Sequence, residues 1–275
     1  MSSLSVIMRT KGRNHGFMNR MFSPGDLGQT LKPFVFLDFL CGDVSKDGMS
    51  FGFHPHSGIG TLTYSINAPV YYTDTEGVDG VLQPGGLEWM KAGGGAWHKA
   101  SFKGSIDGMM AFQFWFALPA SLEEGLSQSV YISPSDVPAC ESCKVLVGSY
   151  KGVSSPVPCP NDVTVLDVVL SKNDDKFTHV FPQKQLTKFV FVYKGSADVC
   201  GETCSGEVFV LSEDVCEIVI KATSLNTRII IASGVPHPHS LALGRYSVHT
   251  NMDSLAKSEA RIEALGDLLQ AQGKI

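Results

Sequence analysis

Short β-type segments that alternate with turn residues are the feature that most constrains what this chain can fold into. The segments are rich in β-branched and aromatic residues, and Gly, Pro, Asn and Asp stand between them at close intervals. With 28 glycines and 14 prolines in 275 residues, turns are frequent and strands are short. This pattern predicts an all-β sandwich or barrel. The clearest predicted strands lie at residues 34–37, 61–66, 110–116, 163–170, 189–193, 208–211, 217–220 and 228–231.

One predicted helix stands apart from the strands, over residues 252–272. Apolar side chains recur there at three- and four-residue steps, which places them on one face of a helix. The other faces show no excess of Lys and Arg, so we expect the helix to pack on the protein rather than on a membrane surface. The predicted apolar stripe consists of Leu255, Ile262, Leu265, Leu268 and Leu269.

The length of the chain suits two linked β cores or one large β structure. A polar segment with two prolines, residues 133–139, separates two β-rich halves. We therefore predict an N-terminal domain over residues 1–132, a C-terminal domain over residues 141–250 and the terminal helix over residues 251–275.

The composition disfavours several classes of function. A net charge of −5 leaves no basic stripe for a phosphate backbone, which argues against direct binding to nucleic acid. No apolar run approaches the roughly 20 residues that a membrane-spanning helix needs. The first residues also lack the apolar core of a secretory signal. The sequence therefore predicts a soluble, cytoplasmic protein without membrane association.

The seven cysteines fit a reducing compartment, because their number is odd and the chain is too long to depend on disulfides. Cys140 and Cys143 form a CxxC pair, and Cys200 and Cys204 form a CxxxC pair. A zinc site would require both pairs to converge, and a redox pair lacks a thioredoxin-like context. Reduced thiols in core and loops are the simpler interpretation. The remaining cysteines are Cys41, Cys159 and Cys216.

Three histidines form the strongest candidate for a functional site. His54 and His56 are separated by one residue, and residues i and i+2 of a β-strand point to the same face. His98, 42 residues later, would complete one face of a metal site from a facing strand. Imidazole binds Fe, Cu, Ni and Zn alike, so the trio does not select a metal. Taken alone, a His-x-His pair is also common in turns and on exposed surfaces.

The remaining histidines carry weaker signals. His237 and His239 form a second His-Pro-His, which follows a Gly-Val-Pro segment typical of a loop and has no matching third histidine. Exposed loop residues are the simpler interpretation of that pair. His15, His179 and His249 carry no motif and are predicted to be structural or surface residues.

Several motifs follow one another along the chain, at residues 33–38, 53–64, 80–98, 113–119, 152–156 and in the tail from residue 229 onward. Taken in order, they resemble the signature of the pirin family. Their order is far more specific than any one motif, and together they cover nearly the full length. Pirins are bicupins, with two jelly-roll β-barrel domains in one chain, so the resemblance implies that architecture, with a metal in the N-terminal barrel.

The resemblance implies a divalent metal held by His54, His56 and His98. Iron is the metal that pirins commonly hold, and Cu, Ni, Mn and Zn are alternatives. Ala100 replaces the glutamate that completes the pirin site two residues after the last histidine, and the cupin glutamate after His-x-His would fall at Gly60. Loss of a carboxylate weakens the binding of a divalent cation, so two outcomes are open: a three-histidine site or a site without metal.

Three further residues are candidates for the chemistry around the histidines. Glu88, on a predicted neighbouring strand, is a candidate acid/base, and an exposed surface glutamate is the alternative interpretation. Gln113 and Trp115 share one face of their strand and match family positions, so we expect them to line a substrate pocket. A plain aromatic core with a buried amide is the alternative for that pair.

The resemblance implies a non-haem metal dioxygenase, similar to the quercetin 2,3-dioxygenase activity of several pirins. Its substrate would be a small aromatic molecule, a flavonol or a related enol or phenol, and without the ligand glutamate we expect a reduced rate or a different substrate. The alternative is a non-catalytic, metal- or redox-responsive regulator that binds a protein partner, which the acidic charge favours over DNA. A metal-free member whose cysteines sense oxidants is a third hypothesis.

Overall fold

The computed structural model describes residues 5–43, 48–74, 79–103 and 108–275, which fold almost entirely into β-strands. The first twelve strands are β1 (Val6–Thr10), β2 (Arg13–His15), β3 (Met18–Phe22), β4 (Phe34–Gly42), β5 (Met49–His56), β6 (Ile59–Ser65), β7 (Val70–Asp74), β8 (Asp79–Leu82), β9 (Leu87–Lys91), β10 (Ala96–Phe102), β11 (Met109–Ala117) and β12 (Gln128–Ile132). The others are β13 (Ala139–Cys140), β14 (Cys143–Val147), β15 (Ser149–Tyr150), β16 (Val153–Ser154), β17 (Val163–Leu170), β18 (Lys176–Val180), β19 (Thr187–Lys194), β20 (Ala197–Val199), β21 (Glu202–Cys204), β22 (Glu207–Leu211), β23 (Glu217–Ala222), β24 (Thr227–Gly234), β25 (Ala242–Leu243) and β26 (Val248–His249). The two helices are α1 (Gly28–Leu31) and α2 (Met252–Ala271). The all-β prediction with a C-terminal helix is confirmed.

The chain divides into two compact units, and each unit takes in a segment from the opposite end of the sequence. Residues 14–29, 33–136 and 237–275 form the unit that carries the three histidines, here called the histidine unit. The other described residues form the second unit. Residues 237–250 thus belong to the histidine unit, whereas the sequence-based division places them in the C-terminal domain.

The histidine unit contains two antiparallel sheets. One has seven strands in the order β12-β9-β6-β11-β4-β3-β2, and the other has four in the order β5-β10-β7-β8. Strand β11 shows the alternation that the sequence predicts, because its three phenylalanines are fully buried on one face while Gln113 and Trp115 point to the other. The buried phenylalanines are Phe112, Phe114 and Phe116.

The second unit repeats this plan, with a seven-stranded sheet in the order β1-β22-β19-β24-β17-β14-β13 and a four-stranded sheet in the order β18-β23-β20-β21. Its core is aliphatic and aromatic and includes the buried thiols of Cys143 and Cys204. The seven cysteines are free thiols. Burial raises the pKa of Cys143 to about 12, which keeps that thiol protonated and unreactive.

Helix α2 packs on the histidine unit, close to the last of the three histidines. Asn251 caps its first turn by accepting a hydrogen bond from Ser254 N at 2.9 Å. Leu255, Ile262 and Leu269 are buried at seven-residue intervals. The inclusion of Leu268 in the predicted stripe is wrong, because its side chain is 58% exposed. Among the described residues, no helix is both long enough and apolar enough to cross a membrane.

Trp97, the residue before His98, joins α2 to strand β10. Its indole Nε1 donates to Ile262 O at 3.0 Å. A Cβ on Gly266 would lie 2.8 Å from Trp97 Cζ2, so the absence of a side chain at that position allows the close approach of helix and ring.

We expect Gly266→Val to lower the free energy of unfolding by about 1 to 3 kcal/mol, because the new side chain overlaps Trp97. Chemical denaturation of the two proteins measures this difference. Ala264→Val is the matched control, since residue 264 is exposed on the same helix, and its effect should stay under about 1 kcal/mol. Equal effects of the two substitutions would contradict the contact.

His179 is buried in the second unit, with 2% of its surface exposed. The ring lies among aromatic neighbours, with its centroid 4.6 Å from Phe181 and 5.5 Å from Tyr150. Neither ring nitrogen has a hydrogen-bond partner in the described structure. Burial therefore lowers the pKa of His179 to about 4.

This histidine should make the protein sensitive to acid. The unfolded chain takes up a proton on residue 179 near pH 6.5, whereas the folded chain does so only near pH 4, so stability falls as the pH drops through that interval. The loss from this group is about 3 kcal/mol. In urea denaturation at pH 7 and pH 4.5, His179→Leu should show a smaller difference between the two pH values than the wild type. The exposed His15→Leu is the control, and an unchanged pH dependence in His179→Leu would refute this assignment.

Candidate metal centre

Strand register brings the three histidines together. His54 and His56 lie two residues apart on β5, so their side chains share one face of the strand. Strand β10 pairs with β5 in antiparallel register and places His98 directly opposite His54. Strand geometry alone therefore gathers the three imidazoles on one face of the four-stranded sheet.

The three rings converge on one point. His98 Nε2 lies 3.1 Å from His54 Nε2. The ring centroid of His56 lies 5.0 Å from that of His54 and 5.2 Å from that of His98. One ligand atom from each residue lies within 4.8 Å of the other two. Among the described residues, this is the one group of three or more His, Cys, Asp or Glu side chains that has metal-binding spacing.

Backbone carbonyls fix the tautomers of two of these rings. His54 Nδ1 lies 2.7 Å from Gly52 O, and His56 Nδ1 lies 3.2 Å from Tyr246 O. A carbonyl only accepts, so each Nδ1 carries the proton and each Nε2 presents a lone pair. The lone pairs of His54 and His56 are therefore directed toward the shared point.

The environment keeps both rings neutral at pH 7. Burial, with a smaller contribution from charge on His98, lowers the pKa of His54 to about 4. Burial likewise lowers the pKa of His56 well below its usual value. Metal binding requires deprotonated ligand nitrogens, so these two imidazoles compete little with protons for an ion.

Glu88 stands behind His98 rather than on the surface. Its carboxylate Oε1 lies 3.5 Å from His98 Nδ1. The interpretation of Glu88 as an exposed glutamate is wrong, because β9 pairs with both β6 and β12 inside the seven-stranded sheet and only 1% of the residue is exposed. Since His98 Nε2 faces the other histidines, Glu88 lies at the opposite edge of the imidazole. The carboxylate is placed to orient the imidazole of His98, with Nδ1 toward Glu88 and the ligand nitrogen toward the other histidines.

A divalent transition metal fits this arrangement. Two nitrogens that are each about 2.1 Å from one ion are about 3 Å apart when their bonds meet near a right angle, which matches the separation of His54 Nε2 and His98 Nε2. A metal on His98 Nε2 would also leave the proton of that ring on Nδ1, which is buried without a hydrogen-bond partner and faces Glu88. Imidazole donors suit iron, nickel, copper and zinc.

No carboxylate joins the three imidazoles among the described residues. Ala100, where the pirin pattern has a glutamate, contributes only a methyl group to the cavity wall. The other cupin position for a glutamate, Gly60, cannot hold a side chain, because a Cβ there would overlap the indole of Trp89. The site therefore consists of three neutral ligands.

The histidines open into a cavity of about 580 Å³ within the histidine unit. Trp115 lies in its wall, with its ring 4.9 Å from His56 and stacked 4.2 Å from Phe36. Gln113 also lines the cavity and accepts a hydrogen bond from Thr63 Oγ1 at 3.1 Å. Glu88 is not among the residues that line it.

Four polar residues of the cavity were not anticipated from the sequence. Arg20 and Asp38 line it as an ion pair, with Arg20 Nε and Nη2 each 3.0 Å from an oxygen of Asp38. Arg245 and Tyr246 reach it from the loop between β25 and β26. Asp38, Arg245 and Tyr246 lie in segments that resemble pirins, but nothing in the sequence places them or Arg20 at the cavity, because their position there depends on how these segments pack against the histidine strands.

The second His-Pro-His does not form part of the metal-capable group. His237 is buried, contrary to the expectation for an exposed loop, and its Nε2 lies 3.1 Å from Leu118 O. His239 is exposed. The pair therefore holds a segment of the histidine unit in place through His237.

Comparisons with known proteins agree with this geometry. The sequence model of the Pirin family matches residues 16–116, which include all three histidines. Over 218 residues the chain is 28% identical to Pirin-1 of Arabidopsis thaliana, and the alignment covers 75% of this chain and 73% of that protein. The chain therefore carries a Pirin domain over residues 16–116 and resembles pirins along most of its length.

Solved structures extend the likeness to the whole fold. A crystal structure of quercetin 2,3-dioxygenase from Acinetobacter baumannii matches with a TM-score of 0.83 at 23% identity, covering 98% of this chain and 97% of that chain. The bacterial pirin YhhW from Escherichia coli, in complex with nickel(II), matches with a TM-score of 0.65 at 18% identity and covers 84% of this chain and 99% of that chain. The predicted bicupin fold is thereby confirmed.

Glu88→Gln should weaken metal binding by about 10-fold, because the neutral amide no longer stabilises the proton on His98 Nδ1. The measurement is competition for Ni²⁺ between the protein and a chelator. The exposed Glu263→Gln serves as the control and should bind Ni²⁺ like the wild type. Unchanged affinity in Glu88→Gln, with loss of binding in His98→Ala, would show that the carboxylate does not support the ligand.

Proposed function

We propose that this pirin-like protein is a metal-dependent dioxygenase that acts on an enol or phenol, with a flavonol such as quercetin as the first substrate class to test. The observation that carries the proposal is the convergence of three imidazoles at the wall of a cavity with aromatic sides. The likeness to a solved quercetin 2,3-dioxygenase supports the substrate class. Iron is the proposed metal, and Cu, Ni, Mn and Zn are alternatives with the same donor set.

The residues of the site divide the work between holding the metal and binding the substrate. His54, His56 and His98 would hold the ion, which supplies positive charge that favours the anionic form of an enol or phenol. The aromatic rings of Trp115 and Tyr246 offer flat apolar surface to a planar substrate. Three protein ligands leave positions open for substrate and dioxygen.

In this proposal Glu88 is not the acid/base that its position in the sequence indicates. The carboxylate lies on the far edge of His98 and acts on the metal ligand, so it is a positioning residue. The substrate proton is then released to solvent at the mouth of the cavity, where Arg245 is exposed. A reaction without a carboxylate base beside the substrate should be slow.

The test is metal analysis followed by oxygen consumption. Protein purified without a histidine tag should contain about one transition-metal ion per chain by mass spectrometry, and it should consume oxygen in the presence of quercetin. His56→Ala should lose both the metal and the oxygen uptake, because it removes one of three ligands. His239→Ala is the control, since that exposed histidine lies outside the metal-capable group.

The outcome also separates the alternatives. Bound metal without oxygen uptake on any enol or phenol would favour a metal-responsive regulatory protein with a protein partner. Protein that contains no metal and takes up none from solution would contradict the proposed function.

A further inference from the structure

One wall of the cavity comes from a tight loop near the C-terminal helix. Between β25 and β26, Gly244 N donates to Ser247 O at 2.9 Å and closes the loop. Arg245 and Tyr246 form its tip, and both line the cavity that holds the three histidines. The loop therefore places an arginine at the cavity of the metal-capable site.

Hydrogen bonds fix this loop to the strand that carries the metal ligands. His56 Nδ1 bonds Tyr246 O, and Val248 N donates to Ser57 O at 3.2 Å. Ser57 Oγ donates to Ser247 Oγ at 2.9 Å. Because Ser57 directly follows His56, the position of the loop tip is tied to the position of a metal ligand.

A buried polar network supports the same junction from behind. Ser57 Oγ lies 2.9 Å from His249 Nε2, and His249 Nδ1 lies 3.8 Å from Glu123. Glu123 in turn accepts hydrogen bonds from Thr250 N and Oγ1 at 2.8 and 2.7 Å. The order Ser, His, Glu is that of a hydrolase triad, but Ser57 is fully buried and no substrate can reach it. The network is therefore a support that holds the loop rigid.

Arg245 has a positive charge that no acidic side chain neutralises. Its guanidinium lies 5.2 Å above the ring of Tyr246, and it forms no ion pair with any residue that the structure describes. Arg20, the other arginine of the cavity, is fully engaged by both oxygens of Asp38. Arg245 is consequently the available cation of the cavity, in a protein whose net charge is −5.

The charge of the metal site also favours an anionic group on the substrate. Three neutral imidazoles leave both positive charges of a divalent ion uncompensated by its protein ligands, so an anionic ligand is favoured there. A guanidinium presents a planar fork of N–H donors that matches a carboxylate. An uncharged flavonol would give Arg245 no anionic group to bind.

We propose that Arg245 is a specificity-determining residue that binds a carboxylate of the substrate. The substrate is then an enol or phenol that also carries a carboxylate, with its hydroxyl toward the histidines and its carboxylate toward Arg245. The placement of the hydroxyl at the histidines rests on the proposed function, whereas the placement of the carboxylate at Arg245 rests on the loop alone.

The test compares two probes of the same shape that differ in charge, 3-hydroxybenzoate and 3-hydroxybenzamide. Metal-free protein is titrated with each by calorimetry, so that the carboxylate cannot bind a metal instead. The wild type should bind the acid about 10-fold more tightly than the amide, as expected for a hydrogen-bonded ion pair. Arg245→Gln should lose this preference, and Arg245→Lys should keep part of it. Arg13→Gln, an exposed arginine outside the cavity, should keep all of it.

The result is independent of whether the protein is an oxygenase. Equal binding of acid and amide by the wild type, or an unchanged preference in Arg245→Gln, overturns the inference even when metal and oxygen uptake with quercetin are present. Loss of the preference in Arg245→Gln supports the carboxylate site even in a protein that takes up no metal, an outcome in which only the proposed dioxygenase fails.

Discussion

The antiparallel pairing of β5 with β10 is the constraint on which the site depends. This register sets His98 opposite His54, and a slip of one residue would turn His98 to the other face of the sheet. The register then shifts between His98 and Ala100, so the regular pairing is interrupted immediately after the third histidine. Because main-chain hydrogen bonds position the rings, the three nitrogens are brought together by the fold itself, and an ion would enter a site whose ligands are already in place.

Each imidazole is also held from its far side. Carbonyl oxygens of Gly52 and Tyr246 fix two rings, and the carboxylate of Glu88 faces the third. A glutamate ligand would place its negative charge directly on the metal. Here the carboxylate of Glu88 lies behind His98 instead and would not touch the ion. A metal site of this kind keeps more of its positive charge toward the cavity than a site with a carboxylate ligand. That difference makes the charge of the substrate a natural determinant of specificity, and Arg245 adds a second cation to the same cavity.

The sequence predicts the parts of this structure that depend on local patterns. Strand alternation predicts the shared face of His54 and His56 and the direction of Gln113 and Trp115 into the cavity, and helical periodicity predicts α2. The sequence does not predict features that depend on contacts between segments far apart along the chain. Glu88 has the alternation of a surface residue, yet strands on both sides of β9 bury it. The loop with Arg245 joins the histidine unit through contacts such as the bridge between Ser247 and Ser57, which no local pattern predicts.

Diffraction at a metal absorption edge, from crystals grown with Ni²⁺, tests most directly whether three imidazoles suffice to hold an ion. We predict one anomalous peak per chain in the histidine unit, about 2.1 Å from the Nε2 atoms of His54, His56 and His98. A map without a peak between these rings, or with the ion bound by fewer than all three, would contradict it.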